Sequence, residues 1–256
     1  MQRTSRRSAA RRAPDFANAL PELALSGDLF PRGIIFDLDG TLVDSAADVA
    51  VILNGILRET GLAPFSAREV KVLMGEGISA LIRKALRLRD VDAPEADLRR
   101  LSDRFLERYS RDPVSSTRPF PGARDILCGL AGEAVAIGVC TNKAETPARL
   151  ILERLGLADH IGVVVGGDSG FGRKPDPRPL LACASRLGIP PSQLVYVGDH
   201  HIDVETARAA KVPVVAAAYG YSGAPAVNFG ADRVIWCLSE LPLVVHGLTE
   251  ETCALQ

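Results

Sequence analysis

Short apolar runs rich in Val and Ile alternate along most of the chain with segments in which apolar residues recur every three or four positions. The runs are typical of buried strands, and the longer repeats are typical of helices with one apolar face. The predicted strands cover residues 34–36, 135–140, 163–166, 194–198, 212–218 and 234–236. Because strands that alternate with helices favour parallel pairing, the pattern predicts an α/β fold, a doubly wound parallel sheet with a Rossmann-like core.

The alternation is interrupted once, directly after the first strand. Between residues 45 and 118 the pattern predicts helices and no strand. The apolar repeats of these helices run over residues 49–57, 69–73, 78–86 and 98–109. We therefore expect a small α-helical domain, residues 45–118, inserted into a core formed by residues 31–44 and 119–256. The Pro-rich segment 118–122 is interpreted as the linker that returns the chain to the core.

Residues 1–30 differ from the rest of the chain in composition. The first twelve residues contain five Arg and no acidic residue. We interpret residues 1–30 as a basic, disordered tail; an organellar transit peptide and an initiation codon assigned too early are the alternatives. No apolar segment of signal-peptide length follows, so the sequence does not indicate secretion.

The overall composition narrows the classes of partner. The chain has 256 residues, 47% hydrophobic and 24% charged, with a formal net charge of −1, so no global field favours nucleic acid. No apolar run is long enough to cross a membrane. The five cysteines, at positions 128, 140, 183, 237 and 253, are odd in number and lack C-x-x-C spacing, which is typical of reduced thiols. We expect a cytoplasmic protein with no nucleic-acid or membrane partner.

Two acidic residues directly follow the first predicted strand and are the strongest indication of chemistry. Asp37 and Asp39 precede Gly40 and Thr41, at the strand end where ligand sites of open α/β sheets gather. If the extended geometry continues, both carboxylates point to the same side and repel each other unless a cation lies between them. Oxygen ligands suit Mg²⁺, and an Asp carboxylate can attack phosphorus to form an aspartyl-phosphate.

Three further predicted strands are followed by polar residues of the same kind. They are Thr141 and Asn142 after the second strand, Lys174 in the loop after the third, and Asp199 and Asp203 after the fourth. Each is an ordinary loop residue when taken alone. Because the carboxyl ends of parallel strands meet at one edge of a sheet, these side chains are expected to gather around the first two aspartates.

The four groups, taken in this order, resemble the four motifs of the haloacid dehalogenase superfamily in its phosphatase form. The resemblance covers about residues 33–218, and the helical insertion is similar to the type C1 cap of the phosphoglycolate-phosphatase-like members. It implies that Asp37 is the nucleophile and Asp39 the general acid and base. It also implies that Lys174 offsets negative charge and that Thr141 holds phosphoryl oxygens. The resemblance implies Mg²⁺ bound by Asp37, the backbone carbonyl of Asp39, and Asp199.

Less specific roles are expected for a second set of residues. Some would bind phosphate or orient water on the metal: Asp203, Asn142, Gly40 and Thr41. A glycine-containing turn between the second and third helices and a basic residue one turn later would contact the substrate: Gly75, Glu76, Gly77 and Arg83.

The sequence departs from the family pattern at two places. His200 and His201 stand where the family usually has Ser or another small polar residue, and adjacent histidines beside a metal ligand favour a softer metal if they bind it. Lys211 stands where Gly is frequent; if the helix ends there in a left-handed residue, Lys costs about 1 kcal/mol relative to Gly. Residues 219–223 resemble the aromatic-glycine turn of phosphoglycolate-phosphatase-like proteins.

We therefore expect a Mg²⁺-dependent phosphatase that hydrolyses a small phosphomonoester through an aspartyl-phosphate. A sugar phosphomutase of the β-phosphoglucomutase type, which shares the cap and the motifs, is the closest alternative. A non-catalytic phosphate-binding or regulatory protein is an alternative of another class. The expected partner is a small phosphorylated metabolite, the expected assembly is a monomer or homodimer, and the identity of the phosphomonoester does not follow from the sequence.

Overall fold

A six-stranded parallel sheet lies at the centre of a computed structural model that describes residues 31–111 and 114–253. The strands within these residues are β1 (Gly33–Phe36), β2 (Val43–Asp44), β3 (Arg118–Pro119), β4 (Ala136–Cys140), β5 (Val163–Val165), β6 (Leu194–Gly198), β7 (Val214–Ala217) and β8 (Arg233–Ile235). The sheet has the order β5-β4-β1-β6-β7-β8, and every neighbouring pair is parallel. The expected tail, residues 1–30, and the last residues of the expected core, 254–256, lie outside the described residues.

The direction in which successive strands are added to the sheet reverses at its centre. From β1 the chain proceeds outward through β4 to β5, and it then returns to β6 and proceeds outward on the other side through β7 to β8. Adjacent strands β1 and β6 therefore form the switch point of the sheet. Ligands of open α/β folds bind in the crevice outside the carboxyl ends of such strands.

Helices cover both faces of the sheet. They are α1 (Ala46–Glu59), α2 (Ala67–Leu73), α3 (Ile78–Arg87), α4 (Glu95–Arg111), α5 (Ala123–Gly132), α6 (Glu145–Arg154), α7 (Arg178–Leu187), α8 (His201–Ala210) and α9 (Leu241–Cys253). In β1, Ile34 and Phe36 pack into one hydrophobic core and Ile35 into the other, because side chains alternate along a strand. All three are fully buried, which confirms the predicted doubly wound sheet.

Four helices, α1 to α4, follow one another between β2 and β3, with no strand between them in the residues that the structure describes. Their apolar faces include Leu53 of α1, Leu81 of α3 and Phe105 of α4, all nearly inaccessible to solvent and all part of the core that also contains Phe36. We refer to residues 46–111 as the helical segment.

A pair of very short strands lies at the base of the helical segment and was not predicted. Val43 pairs with Pro119 and Asp44 with Arg118, antiparallel, where the sequence pattern indicated only a linker. Two-residue strands show no alternation, and Pro argues against a strand in a sheet interior. The pairing brings the entry and the exit of the helical segment together.

The end of the chain also departs from the prediction. The last strand ends at Ile235 rather than at Trp236, whose side chain is 66% exposed. Helix α9 was not predicted, although Leu241, Val245 and Leu248 recur at helical spacing and are buried. Among the described residues, no helix combines the length and the apolar character needed to span a membrane.

Candidate active site

A cavity opens at the carboxyl end of the sheet, between the switch point and the helical segment. It encloses about 550 Å³ of empty space, part of which is open to solvent. Core residues that line it are Asp37, Asp39, Thr141, Asn142, Lys143 and Pro147; helical-segment residues are Val49, Met74, Gly75, Gly77, Ile78, Leu81, Phe105 and Tyr109. The two aspartates of the first motif therefore face the same cavity.

Asp37 is a buried carboxylate with a buried cation beside it. Its Oδ1 lies 2.9 Å from Lys174 Nζ, and its backbone N–H donates to Val197 O at 2.8 Å, which holds it at the end of β1 beside β6. Burial raises the pKa of Asp37 to about 6; the Lys174 ammonium lowers it, but the nearby Asp203 carboxylate raises it further.

Two more carboxylates come to this point from β6 and the start of α8. Ligand oxygens of Asp37, Asp199 and Asp203 all lie within 4.8 Å of one another, and all three residues are buried. Burial, followed by repulsion from Asp203 and Asp37, raises the pKa of Asp199 well above its ordinary value. Clustered carboxylates that resist ionisation fit a hard divalent cation, because it would offset their charge with the oxygen ligands it prefers.

Asp203 is the most firmly held member of this cluster. Its Oδ1 accepts from Lys174 Nζ at 2.6 Å and from the Tyr196 hydroxyl at 3.0 Å, and its Oδ2 accepts from the backbone N–H of His200 at 3.0 Å. Asp203 therefore fixes the position of the Lys174 ammonium, which also contacts Asp37.

Asp199 is enclosed by the loop that follows Asp39 and by the aromatic turn 219–223. Its Oδ1 accepts from the Thr41 hydroxyl at 3.0 Å and its Oδ2 from the backbone N–H of Tyr221 at 2.7 Å. Gly40 has a φ of +91°, and a Cβ there would lie 2.3 Å from Asp199 Oδ2. Only glycine fits this position, so Gly40 and Thr41 serve to place the Asp199 carboxylate.

Asp39 has a cation of its own that the sequence analysis did not identify. Lys143 Nζ lies 2.8 Å from Asp39 Oδ2 and 3.2 Å from Oδ1, and the Ser45 hydroxyl donates to Oδ1 at 2.5 Å. Attraction to Asp39 outweighs the effect of burial and raises the pKa of Lys143, so its side chain is an ammonium. The signal was its place two residues after Thr141, at the end of β4.

Thr141 and Asn142 occupy different positions in the site. Thr141 lies in the cavity wall with its backbone N–H bound to Val165 O at 3.0 Å. The Asn142 amide donates to the carbonyl oxygens of Gly75 and Lys174, both at 3.1 Å, and its Oδ1 accepts from the backbone N–H of Lys174 at 2.9 Å. Asn142 thus joins the Lys174 loop to the turn between α2 and α3.

The structure brings only part of the expected substrate-contacting set to the cavity. Gly75 and Gly77 line it, with φ values of +111° and +89°. Glu76 instead forms an ion pair with Lys84. Arg83 does not line the cavity; its guanidinium lies 2.6 Å from Glu95 at the surface of the helical segment.

The two histidines lie beside the carboxylate cluster without joining it. His200 precedes α8, where its Nδ1 accepts from the backbone N–H of Ile202 at 3.4 Å, and its ring packs on Gly75. Burial lowers the pKa of His200 to about 4. The group of metal-ligand atoms found in the described residues contains Asp37, Asp199 and Asp203 and neither histidine.

Comparisons with known proteins agree with this architecture. The family model of haloacid dehalogenase-like hydrolases matches residues 34–217. A phosphoglycolate phosphatase of Rhodospirillum rubrum is 46% identical over 208 residues, covering 80% of this chain and 86% of that protein. One of Agrobacterium fabrum is 38% identical over 201 residues, covering 78% and 86%.

A solved structure shares the fold over nearly the same length. The crystal structure of a predicted phosphoglycolate phosphatase from Haemophilus somnus superimposes with a TM-score of 0.76 at 27% identity, covering 83% of this chain and 97% of that one. The family match spans β1 to β7, including every acidic residue of the cavity and the cluster. The chain belongs to the family of haloacid dehalogenase-like hydrolases.

Proposed function

We propose that this protein is a Mg²⁺-dependent phosphatase that hydrolyses a small phosphomonoester through an aspartyl-phosphate on Asp37. The observation that carries the proposal is the pairing of two cavity aspartates with two separate buried lysines, Lys174 for Asp37 and Lys143 for Asp39. Asp37 shares its lysine with Asp203 and lies beside Asp199, whereas Asp39 also accepts from the Ser45 hydroxyl. The two carboxylates therefore have different surroundings, which is how acid, base and nucleophile are distinguished in enzymes.

Asp37 and Asp199, with the backbone carbonyl of Asp39, are the ligands that we assign to Mg²⁺. When bound, the ion supplies positive charge that offsets the carboxylates and polarises a phosphoryl oxygen. Asp203 is not assigned as a ligand. It accepts a hydrogen bond from the Lys174 ammonium and so fixes the position of that ammonium beside Asp37.

Asp37 is the proposed nucleophile. A carboxylate oxygen of Asp37 attacks phosphorus, the bond between phosphorus and the ester oxygen breaks, and protonated Asp39 gives its proton to the departing oxygen. Asp39 then takes a proton from a water molecule whose oxygen attacks phosphorus, and the Asp37 carboxylate is released with inorganic phosphate. The Lys174 ammonium offsets the negative charge of the phosphoryl oxygens, and the Thr141 hydroxyl orients them. Phosphoryl transfer depends on this positioning and charge stabilisation.

The helical segment is the proposed cap of this site. Its side of the cavity is largely apolar, and it contacts the core through the hydrogen bond between Asn142 and Gly75 O. Closure of such a wall over bound substrate excludes bulk water, so that water reaches the phosphoryl group only in the second step.

The relatives named phosphoglycolate phosphatase make 2-phosphoglycolate the first substrate to test. Purified protein is mixed with 2-phosphoglycolate, sugar phosphates and nucleotides, with Mg²⁺ or with chelator, and released phosphate is measured. We expect Mg²⁺-dependent release that is lost in Asp37→Asn and retained in Asp92→Asn, a control at an exposed aspartate. Isomerisation of a sugar phosphate without net phosphate release would instead support the mutase, and binding without turnover would support a regulatory protein.

A further inference from the structure

Lys174 reaches Asp37 from within the core. Its side chain is 2% exposed, and Lys174 is not one of the described residues that line the cavity. Burial disfavours charge on Lys174, but attraction to Asp203 and Asp37 outweighs the effect of burial and raises the pKa of Lys174, so the side chain is an ammonium. A lysine side chain is long and flexible, and its ammonium has three donors. Its position beside Asp37 therefore depends on the oxygen atoms that surround it.

One of these oxygen atoms is the hydroxyl of Tyr196. It lies 2.9 Å from Lys174 Nζ, and the same ammonium contacts Asp203 Oδ1 at 2.6 Å and Asp37 Oδ1 at 2.9 Å. Burial raises the pKa of Tyr196 well above its ordinary value, so the hydroxyl keeps its proton. That proton has two acceptors within reach, Cys140 O at 2.9 Å and Asp203 Oδ1 at 3.0 Å. The hydroxyl can therefore accept from the ammonium while its own proton is bound, which fixes it on both sides.

The register of the sheet places the Tyr196 side chain on the same face as Asp37. Tyr196 pairs with Ile35 of β1, and both side chains are fully buried in the same hydrophobic core. Ile35 and Asp37 are two residues apart, and the ladder continues through the bond from the Asp37 N–H to Val197 O, so they face the same side of the sheet. Strand β1 lies between β6 and β4, and the Tyr196 hydroxyl contacts Cys140 O in β4. The side chain of Tyr196 therefore crosses the face of β1 next to Asp37.

Packing alone does not account for this hydroxyl. Phenylalanine would fill nearly the same volume in the core, and a buried hydroxyl costs free energy unless it is hydrogen-bonded. The groups that bind the Tyr196 hydroxyl are a backbone carbonyl and two charged side chains, Lys174 and Asp203, which also form an ion pair with each other. The reaction as proposed assigns the hydroxyl no role, yet it stabilises the ammonium that contacts the nucleophile.

We propose that the Tyr196 hydroxyl positions the nucleophile, Asp37, by holding the Lys174 ammonium beside it. This inference rests on the proposed function. Without the hydroxyl, one donor of the ammonium lacks its partner, the ammonium can shift toward Asp203, and the carboxylate of Asp37 loses its fixed orientation. Small displacements of a reacting group reduce the rate of the chemical step. Substrate affinity is not expected to change, because Tyr196 is not among the described residues that line the cavity.

Steady-state kinetics with 2-phosphoglycolate and Mg²⁺ test the effect on the reaction. Tyr196→Phe, which removes one oxygen atom, is expected to lower kcat about 10-fold, the value of one hydrogen bond, and to leave KM within about twofold. Thr206→Val is the matched control. The Thr206 hydroxyl is also fully buried, but it donates to Ile202 O at 2.7 Å within α8, so its removal costs stability and is expected to leave kcat and KM unchanged. If Tyr196→Phe does not fold, Tyr196→Met replaces it, since a flexible apolar side chain adapts to the gap.

The position of the ammonium can be measured without turnover. The chain contains five lysines, and in protein with isotope-labelled lysine an ammonium gives an NMR signal when its protons exchange slowly with water. We expect such a signal from Lys174, identified by its loss in Lys174→Met, and about 10-fold faster proton exchange in Tyr196→Phe, which lacks one hydrogen bond to this ammonium. Thr206→Val is expected to leave the exchange rate unchanged.

The two measurements separate the inference from a purely structural role of Tyr196. Loss of stability in Tyr196→Phe with kcat unchanged overturns the inference, as does a raised KM at unchanged kcat or an unchanged exchange rate of the Lys174 ammonium. In each of these cases the wild type still releases phosphate, and the proposed function stands. Absence of phosphate release by the wild type, from 2-phosphoglycolate and from every other ester, overturns the proposed function and the inference with it.

Discussion

Lys174 Nζ lies 2.9 Å from Asp37 Oδ1, and both side chains are almost completely buried. This contact does not make the carboxylate easy to ionise, because burial and Asp203 together keep the pKa of Asp37 raised. The metal-free fold therefore holds a carboxyl group that is harder to ionise than the same group in the unfolded chain. A site of this kind binds a cation readily, and it lowers the stability of the empty protein.

Asp37→Asn is expected to raise the free energy of unfolding of the metal-free protein at pH 7.5. The pKa of Asp37 rises from 3.8 to about 6 on folding, so stability falls as pH increases between these values and the loss is complete above about 6. Asn resembles the neutral acid and escapes this loss. Urea unfolding with chelator at pH 4 and pH 7.5 measures the difference, which should be larger at pH 7.5. A variant less stable than wild type at pH 7.5 would contradict the assigned pKa, and Asp92→Asn provides the matched control.

Tyr221→Phe is expected to destabilise the protein by about 1–3 kcal/mol. The Tyr221 hydroxyl accepts from the backbone N–H groups of Ser45 at 2.6 Å and Ala46 at 3.2 Å, and it lies 2.8 Å from Asp44 Oδ1. Its removal takes the partner from the buried N–H of Ser45 and leaves the N–H of Ala46 with only the longer bond to Asp44 Oδ1 at 3.4 Å. Denaturant unfolding measures the effect. Tyr219→Phe is the control, because that hydroxyl makes a single bond, to Thr41 O at 2.9 Å, and should cost less; equal losses in the two variants would argue against this role of Tyr221.

Lys211→Gly is expected to stabilise the protein by about 1 kcal/mol. Lys211 ends α8 with φ +57° and ψ +41°, the left-handed conformation that glycine adopts without strain, and its side chain is exposed. Thermal or urea unfolding measures the gain. Glu205→Gly, at an exposed position inside the same helix, should instead destabilise by about 1 kcal/mol, because there glycine only adds flexibility. A loss of stability in Lys211→Gly would show that the lysine contributes a contact that outweighs the strain.

The order of strands and helices could be predicted from the sequence because apolar periodicity is a local property. Strand β6 was predicted with the bounds that the structure shows, since its apolar residues are contiguous and a glycine ends the run. The pair β2 and β3 could not be predicted, because two residues carry no pattern and the pairing depends on segments separated by the whole helical segment.

The same contrast holds for the site. Asp37, Asp199 and Lys174 follow strands whose ends could be located, so their meeting at one sheet edge was expected. Lys143 could not be assigned a role, because a lysine in a loop after a strand is ordinarily exposed. Its burial depends on Asp39 from the first loop and Tyr109 from α4, both distant in sequence. Arg83 is the opposite case. Its place near the glycine turn predicted a contact with substrate, but its partner in the structure is Glu95, outside the cavity.

The central claim is that Asp37 itself carries the phosphoryl group, and chemical trapping tests it most directly. Wild-type protein turning over 2-phosphoglycolate with Mg²⁺ is quenched in acid and treated with borohydride, which reduces an acyl phosphate to an alcohol, and the peptides are mapped by mass spectrometry. We predict conversion of residue 37 to homoserine in the presence of substrate, and no conversion without substrate or in Asp37→Asn. Sustained phosphate release with Asp37 unmodified and another residue reduced instead would contradict the account.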